Sequence, residues 1–314
     1  MAKEKNLVQC HSFFAILLPV HRIHDRSEIL DHLLKSLFHS RVHGGGECLN
    51  SSDADSGSAR LRVNSLRKKL DSQDFVIGTF LEIPSAPLVE LLGLAGFDFV
   101  VVDREHGPID WSATENLIRA GVSTGISVMV RPPNCEPSAM SQPLDWGAAG
   151  IQVPQIASVE MAQMVVRSSK YHPLGMRGLQ PYVRAASYRS YHTGEYLTTA
   201  NQESVLVAQV EGVEGIHNLD SILQVEGLDI AFIGPYDLSQ ALGIPAQVRD
   251  ARVQEAMAGA VQLAQKTGKR IGTYCDDVET ALEYRKLGIS YLTVSLDANI
   301  FLSGARSVVS KLRA

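Results

Sequence analysis

From about residue 71 onward, short runs of β-branched and aromatic residues alternate with amphipathic stretches, each pair taking roughly thirty residues. Eight runs have strand character: 75–82, 97–102, 127–131, 150–154, 205–210, 230–233, 270–274 and 291–295. Helical spacing of apolar positions covers 87–95, 112–120, 159–168, 253–267 and 278–287. Glycine follows several of these helices, at Gly96, Gly268 and Gly288, where a left-handed C-terminal cap is easiest. Eight parallel strands with intervening helices predict an α/β fold, a (β/α)₈ TIM barrel over residues 65–314. An open doubly wound sheet would favour a GxGxxG turn after the first strand, and Gly78-Thr79-Phe80-Leu81-Glu82 is not one. One interval breaks the rhythm. The connection across 173–204 is long enough to predict a functional or interface segment.

Residues 1–64 have a different character. They hold six of the ten histidines, a Gly44-Gly45-Gly46 run and a Ser/Asp-rich tract at 51–58. The histidines are scattered without a ligand-type repeat, so this part reads as a poorly ordered N-terminal extension with one weak helix at 27–38. The apolar run at 12–20 is too short to span a bilayer and lacks a small-residue cleavage site after it. A soluble, cytoplasmic protein with no membrane partner is expected. The net charge of −5 leaves no basic footprint, which argues against nucleic acid. Cys10, Cys48, Cys135 and Cys275 form no CxxC pair and read as reduced thiols.

In a barrel the chemistry sits at the carboxyl ends of the strands. Those positions read Asp103-Arg104-Glu105-His106-Gly107-Pro108, Arg131-Pro132-Pro133, Gln209-Val210-Glu211 and Gly234-Pro235-Tyr236-Asp237. Glu211 and Asp237 close neighbouring strands, and two facing carboxylates repel unless a cation lies between them. An all-oxygen shell with two protein ligands suits Mg²⁺ or Mn²⁺; helix capping is the competing role. His106 exchanges protons near neutrality and suits general acid–base work, with Asp145 or Asp103 as its orienting carboxylate. Arg131 can neutralise a carboxylate or an enolate oxygen, and removing it to alanine is expected to abolish turnover with the fold intact. No lysine falls on a strand end, which disfavours a Schiff-base mechanism. The turns after strands 7 and 8 are not glycine-rich, so a phosphorylated substrate is disfavoured.

Taken in order, Asp103–Pro108, Arg131-Pro132, Gly175-Met176-Arg177-Gly178, Gln209–Glu211 and Gly234–Ser239 resemble the HpcH/HpaI aldolases, the metal-dependent class II pyruvate aldolases. The resemblance covers about residues 71–314. It implies Glu211 and Asp237 as metal ligands, for Mg²⁺, Mn²⁺ or Co²⁺, with Gln209 beside them. It also implies a pyruvate subsite at Gly234, Pro235, Tyr236 and Asp237, Arg131 on the enolate oxygen, and His106 oriented by Asp145 on the proton. The substrates implied are a 4-hydroxy-2-oxo acid, or pyruvate with an aldehyde, and the assembly implied is a dimer-based homo-oligomer such as a hexamer. Two alternatives stand beside it: oxaloacetate decarboxylation of the kind found in macrophomate synthase, and a non-catalytic barrel used as an assembly module.

Overall fold

The computed structural model describes residues 64–190 and 192–314, so the reading of the N-terminal extension, with its weak helix at 27–38, lies outside the described residues. Eight parallel strands pair in chain order and the last closes on the first. They are β1 (Val76–Leu81), β2 (Phe99–Asp103), β3 (Ser127–Arg131), β4 (Gly150–Val153), β5 (Val205–Val210), β6 (Ile230–Ile233), β7 (Arg270–Cys275) and β8 (Tyr291–Leu296). The helices are α1 (Ser65–Ser72), α2 (Ala86–Leu94), α3 (Trp111–Thr124), α4 (Pro137–Asp145), α5 (Val159–Ser169), α6 (Thr193–Glu203), α7 (Val213–His217), α8 (Leu219–Leu223), α9 (Pro235–Ala241), α10 (Ala251–Thr267), α11 (Val278–Leu287) and α12 (Asp297–Arg313). Strands β3, β5 and β6 coincide with their predicted spans, and the other strand ends move by one or two residues. This is the expected (β/α)₈ barrel.

The strands read as near-continuous apolar runs because both faces are buried. Outward side chains such as Val100, Val102, Val128 and Val130 pack under α2 and α3. Inward side chains fill the lumen: Val76, Phe99, Met129, Val205, Val207, Ile230, Phe232 and Tyr291. Phe99 and Tyr291 stack there with ring centroids 4.2 Å apart. The lumen wall is tight at Gly78, where a Cβ would lie 2.2 Å from the Phe99 ring.

Helix α1 is too short to show periodicity, and sequence pattern does not reveal it. It plugs the amino-terminal end of the barrel with Leu66 and Leu70. Asn64 caps it, accepting from the Leu66 N–H and donating to the carbonyls of Ala149 and Glu203, just ahead of β4 and β5. Arg67 forks onto Asp229, just ahead of β6, at 2.7 and 2.8 Å. Because Leu66 is fully buried, Leu66→Ala is expected to lower the unfolding free energy by about 3 kcal/mol in urea titration.

Candidate active site

Asp103 and Arg131 are directly paired across β2 and β3, so both side chains emerge at the barrel mouth side by side. The guanidinium forks onto Asp103, Nε to Oδ1 at 2.9 Å and Nη2 to Oδ2 at 2.5 Å, and its Nη1 lies 3.2 Å from Glu105. It also rests over the Phe80 ring at 4.6 Å. Burial works against its charge, but Asp103, Glu105 and Glu211 outweigh that and hold its pKa above the ordinary value. Nε and Nη2 hydrogen-bond to Asp103 and Nη1 is ion-paired with Glu105, so both terminal nitrogens keep N–H bonds for a substrate oxygen. Asp103 also accepts the N–H groups of Glu105 and His106, which folds the loop back over the mouth. Asp103 therefore holds Arg131 and the loop backbone, not the His106 ring. Arg104 turns away, its guanidinium 3.2 Å from the centre of the Trp111 ring.

On the far side of the mouth, β5 carries Gln209 and delivers Glu211. Glu211 is buried, accepting from Gln209 Nε2 at 2.6 Å and from the Gln155 N–H at 2.9 Å. Gln155 reaches this position with φ of 59°, a conformation costly for a non-glycine residue. Its side chain donates to Glu105 at 3.1 Å, so one residue ties the two acids together. Gly234 must be glycine here, since a Cβ would lie 2.7 Å from Glu211 Oε2. Pro235 then opens α9, with Tyr236 and Asp237 exposed in its first turn. The Tyr236 hydroxyl donates to both oxygens of Asp276, each at 2.9 Å.

Burial pushes Glu211 up to about 7, with the charges of Asp237 and Glu105 adding to the effect and Gln209 and Gln155 opposing it. Glu105 and Glu82 are raised too, first by burial. The mouth thus concentrates negative charge at a buried point. That is the condition a cation relieves, and the donors around Glu211 and Asp237 fit a hard divalent ion. Among the described residues no group of three or more His, Cys, Asp or Glu has metal-holding geometry.

Two expected neighbours are apart. His106 is exposed, and its nearest acid is Glu105, with Nε2 4.0 Å from Oε2. Asp145 ends α4, at the amino-terminal end of the strands, where it accepts from Arg177 at 2.5 Å. Within this chain it does not orient His106; helix α4 runs away from the mouth and its last turn lies at the opposite rim. The same topology corrects the reading of 173–204. This connection joins α5 to β5, so it covers the amino-terminal end of the barrel, where Arg184 donates to the Trp146 carbonyl. A cavity of about 410 Å³ lies there, bounded in part by Asn64, Arg177 and Tyr196.

Lys170 lies at that end too. Burial lowers its pKa to about 8, and its ammonium donates to the carbonyls of Asn201 and Ser204 and to the Ser204 hydroxyl. The one strongly perturbed lysine among the described residues is therefore a structural cation away from the mouth.

The profile of the HpcH/HpaI aldolase/citrate lyase family matches residues 76–303, nearly the whole barrel. The chain belongs to this family. It is 33% identical over 253 residues to a hydroxypyruvate/pyruvate aldolase of Pseudomonas aeruginosa, covering 81% of this chain and 94% of that protein. It is 32% identical over 248 residues to a 4-hydroxy-2-oxo-heptane-1,7-dioate aldolase of Klebsiella pneumoniae, covering 79% and 93%. A solved HpcH/HpaI aldolase/citrate lyase family structure from Burkholderia cenocepacia superposes with a TM-score of 0.75 at 31% identity, over 80% of this chain and all of that one.

Sequence reasoning missed Glu105 as a partner of Arg131, and missed Gln152 and Gln155 altogether. A signal was present: strand 4 has a glutamine in its middle and another after its end, among apolar neighbours. The end of strand 1 was also passed over, where Glu82 donates its N–H to Asp297.

Proposed function

We propose that this HpcH/HpaI family member is a divalent-metal-dependent aldolase that splits a 4-hydroxy-2-oxo acid into pyruvate and an aldehyde, or joins them in reverse. The observation that carries this reading is the juxtaposition of the buried, cation-seeking Glu211 with Asp237 across a mouth whose other wall is Arg131. It is a carbon–carbon lyase, as the aldolase relatives support. Glu211 and Asp237 would hold Mg²⁺ or Mn²⁺, with Co²⁺ as a third candidate. A cation there supplies Lewis acidity to the carboxylate and keto oxygens of the 2-oxo acid.

The remaining work falls to the chain. Cleavage removes the proton of the 4-hydroxyl, breaks the C3–C4 bond to release the aldehyde, and returns a proton to C3. Arg131, immobilised by Asp103 and Glu105, directs N–H bonds of its terminal nitrogens at the developing enolate oxygen and needs no reorganisation to do so. Gln209 and the Gln155 N–H hold Glu211 in one orientation. Gly234, Pro235 and Tyr236 form the floor of the pyruvate subsite beside Asp237. His106 carries the proton, with Glu105 as the acid beside it. Chelator-stripped protein should lose exchange of the pyruvate methyl protons in D₂O and regain it with Mg²⁺, Mn²⁺ or Co²⁺. Undiminished exchange after stripping would refute the reading. Faster turnover of 4-hydroxy-2-oxo acids than of oxaloacetate separates it from the decarboxylase alternative.

The assembly reading rests on α12. Past Asp297 the whole helix is exposed, including Phe301, Val308, Val309 and Leu312. An amphipathic helix with an uncovered apolar face suits a homo-oligomer in which α12 packs on a second copy. Replacing Phe301 and Leu312 together by Asp is expected to lower the mass seen by light scattering; an unchanged mass would count against α12. No helix among the described residues is long and apolar enough to cross a membrane.

A further inference from the structure

A line of hydrogen bonds climbs the barrel lumen from its floor to Glu211. Tyr291 stands at the start of β8, fully buried and stacked on Phe99. Its hydroxyl donates to Gln152 Oε1 at 3.3 Å, Gln152 Nε2 donates to Gln209 Oε1 at 2.8 Å, and Gln209 Nε2 donates to Glu211 Oε2 at 2.6 Å. Gln152 is fully buried and Gln209 is 2% exposed. The direction of the line is set at its top. An ionised carboxylate only accepts, so Gln209 must present its NH₂ to Glu211 and its carbonyl downward. Gln152 must then present its NH₂ upward, and its carbonyl accepts from the Tyr291 hydroxyl.

The surrounding lumen positions are apolar, and an apolar residue at 152 would cost nothing in desolvation. A glutamine there is useful because it forbids the alternative rotamer of Gln209. If the Gln209 amide flipped, its carbonyl would face Glu211 and its NH₂ would face the NH₂ of Gln152, two repulsions at once. We propose that Gln152 and Tyr291 are positioning residues that lock the Gln209 amide, and through it the Glu211 carboxylate, in the orientation that receives the divalent cation. This rests on the metal-site reading above. Neither residue touches substrate; each acts through the next link, as outer-shell partners do at metal sites.

The test is titration of the metal-free, full-length protein with Mn²⁺, following free Mn²⁺ by EPR, alongside the thermal midpoint. Gln152→Met keeps the volume and removes the donor to Gln209; its Mn²⁺ affinity should fall by about 10- to 100-fold. Tyr291→Phe keeps the stack on Phe99 and should weaken Mn²⁺ by about fivefold, the worth of one ordinary hydrogen bond. The double variant should bind no more weakly than Gln152→Met alone, because both break one line. Phe99→Leu disturbs the same packing without touching the line, and should lower the thermal midpoint while leaving Mn²⁺ affinity unchanged. Wild-type affinity in both Gln152→Met and Tyr291→Phe would overturn the proposal, as would an equal loss in Phe99→Leu. Failure of the wild type to bind Mn²⁺, or undiminished binding in Asp237→Asn, would instead overturn the metal-site reading and the line's purpose with it.

Discussion

Arg131→Lys is expected to slow both aldol cleavage and pyruvate proton exchange by roughly 100- to 1000-fold, while the thermal midpoint and Mn²⁺ affinity stay close to wild type. The lysine retains a positive charge beside Asp103 but loses the planar fork, so it cannot grip Asp103 and Glu105 and still aim two donors at an enolate oxygen. The effect should fall on kcat, because the lost interaction is made mainly in the transition state. Arg131→Ala is the less informative variant. Asp103 is fully buried, and stripping its partner leaves an unpaired internal charge costing about 3–5 kcal/mol. Loss of turnover in that variant would therefore be mixed with a loss of stability. Near-wild-type exchange in Arg131→Lys would remove Arg131 from the chemistry.

The second large effect concerns Glu211→Gln. The pKa of Glu211 is raised to about 7 by burial, above the ordinary carboxylate value. A group raised in the folded state contributes stability that is fully present below the unfolded pKa and is lost as pH rises through the folded one. The window is therefore from about pH 4.5 to about 7, and above it the ionised, metal-free site costs about 3 kcal/mol. Metal-free wild type should lose thermal midpoint between about pH 4.5 and 7 from this source, and Glu211→Gln should remove that loss. The variant should thus be the more stable metal-free protein at pH 8 while showing no pyruvate exchange at any metal concentration. Mn²⁺ affinity of the wild type should rise as pH climbs toward 7, since the cation and the proton compete for one carboxylate. A variant less stable than wild type at pH 8 without metal would show that Glu211 is not the strained anion described.

Much of the site could be read from the chain alone, for a topological reason. In a parallel barrel, the residue ending a strand faces the mouth whatever its neighbours are. Thus Arg131, Gln209 and Glu211 fall on one rim as strand-end residues, and Asp237 joins them from the turn of helix that follows β6. Partners were less readable. Asp145 could be paired with His106 on chemistry, but Arg177, 32 residues further along, takes its carboxylate at the other rim. Gln155 contributes a backbone N–H through a left-handed conformation that no side-chain pattern announces.

What the sequence by itself determined is the barrel and its rim. Strand and helix periodicities depend on neighbours a few residues away, and chain order around a closed barrel follows from alternation. Only the tertiary structure decided which acid holds which base, how far Glu211 is driven toward protonation, and that the long 173–204 connection lies away from the mouth. Those outcomes depend on distances between strands and on burial. Both arise from contacts between residues far apart in the chain, such as Tyr291 reaching Gln152 across 139 positions.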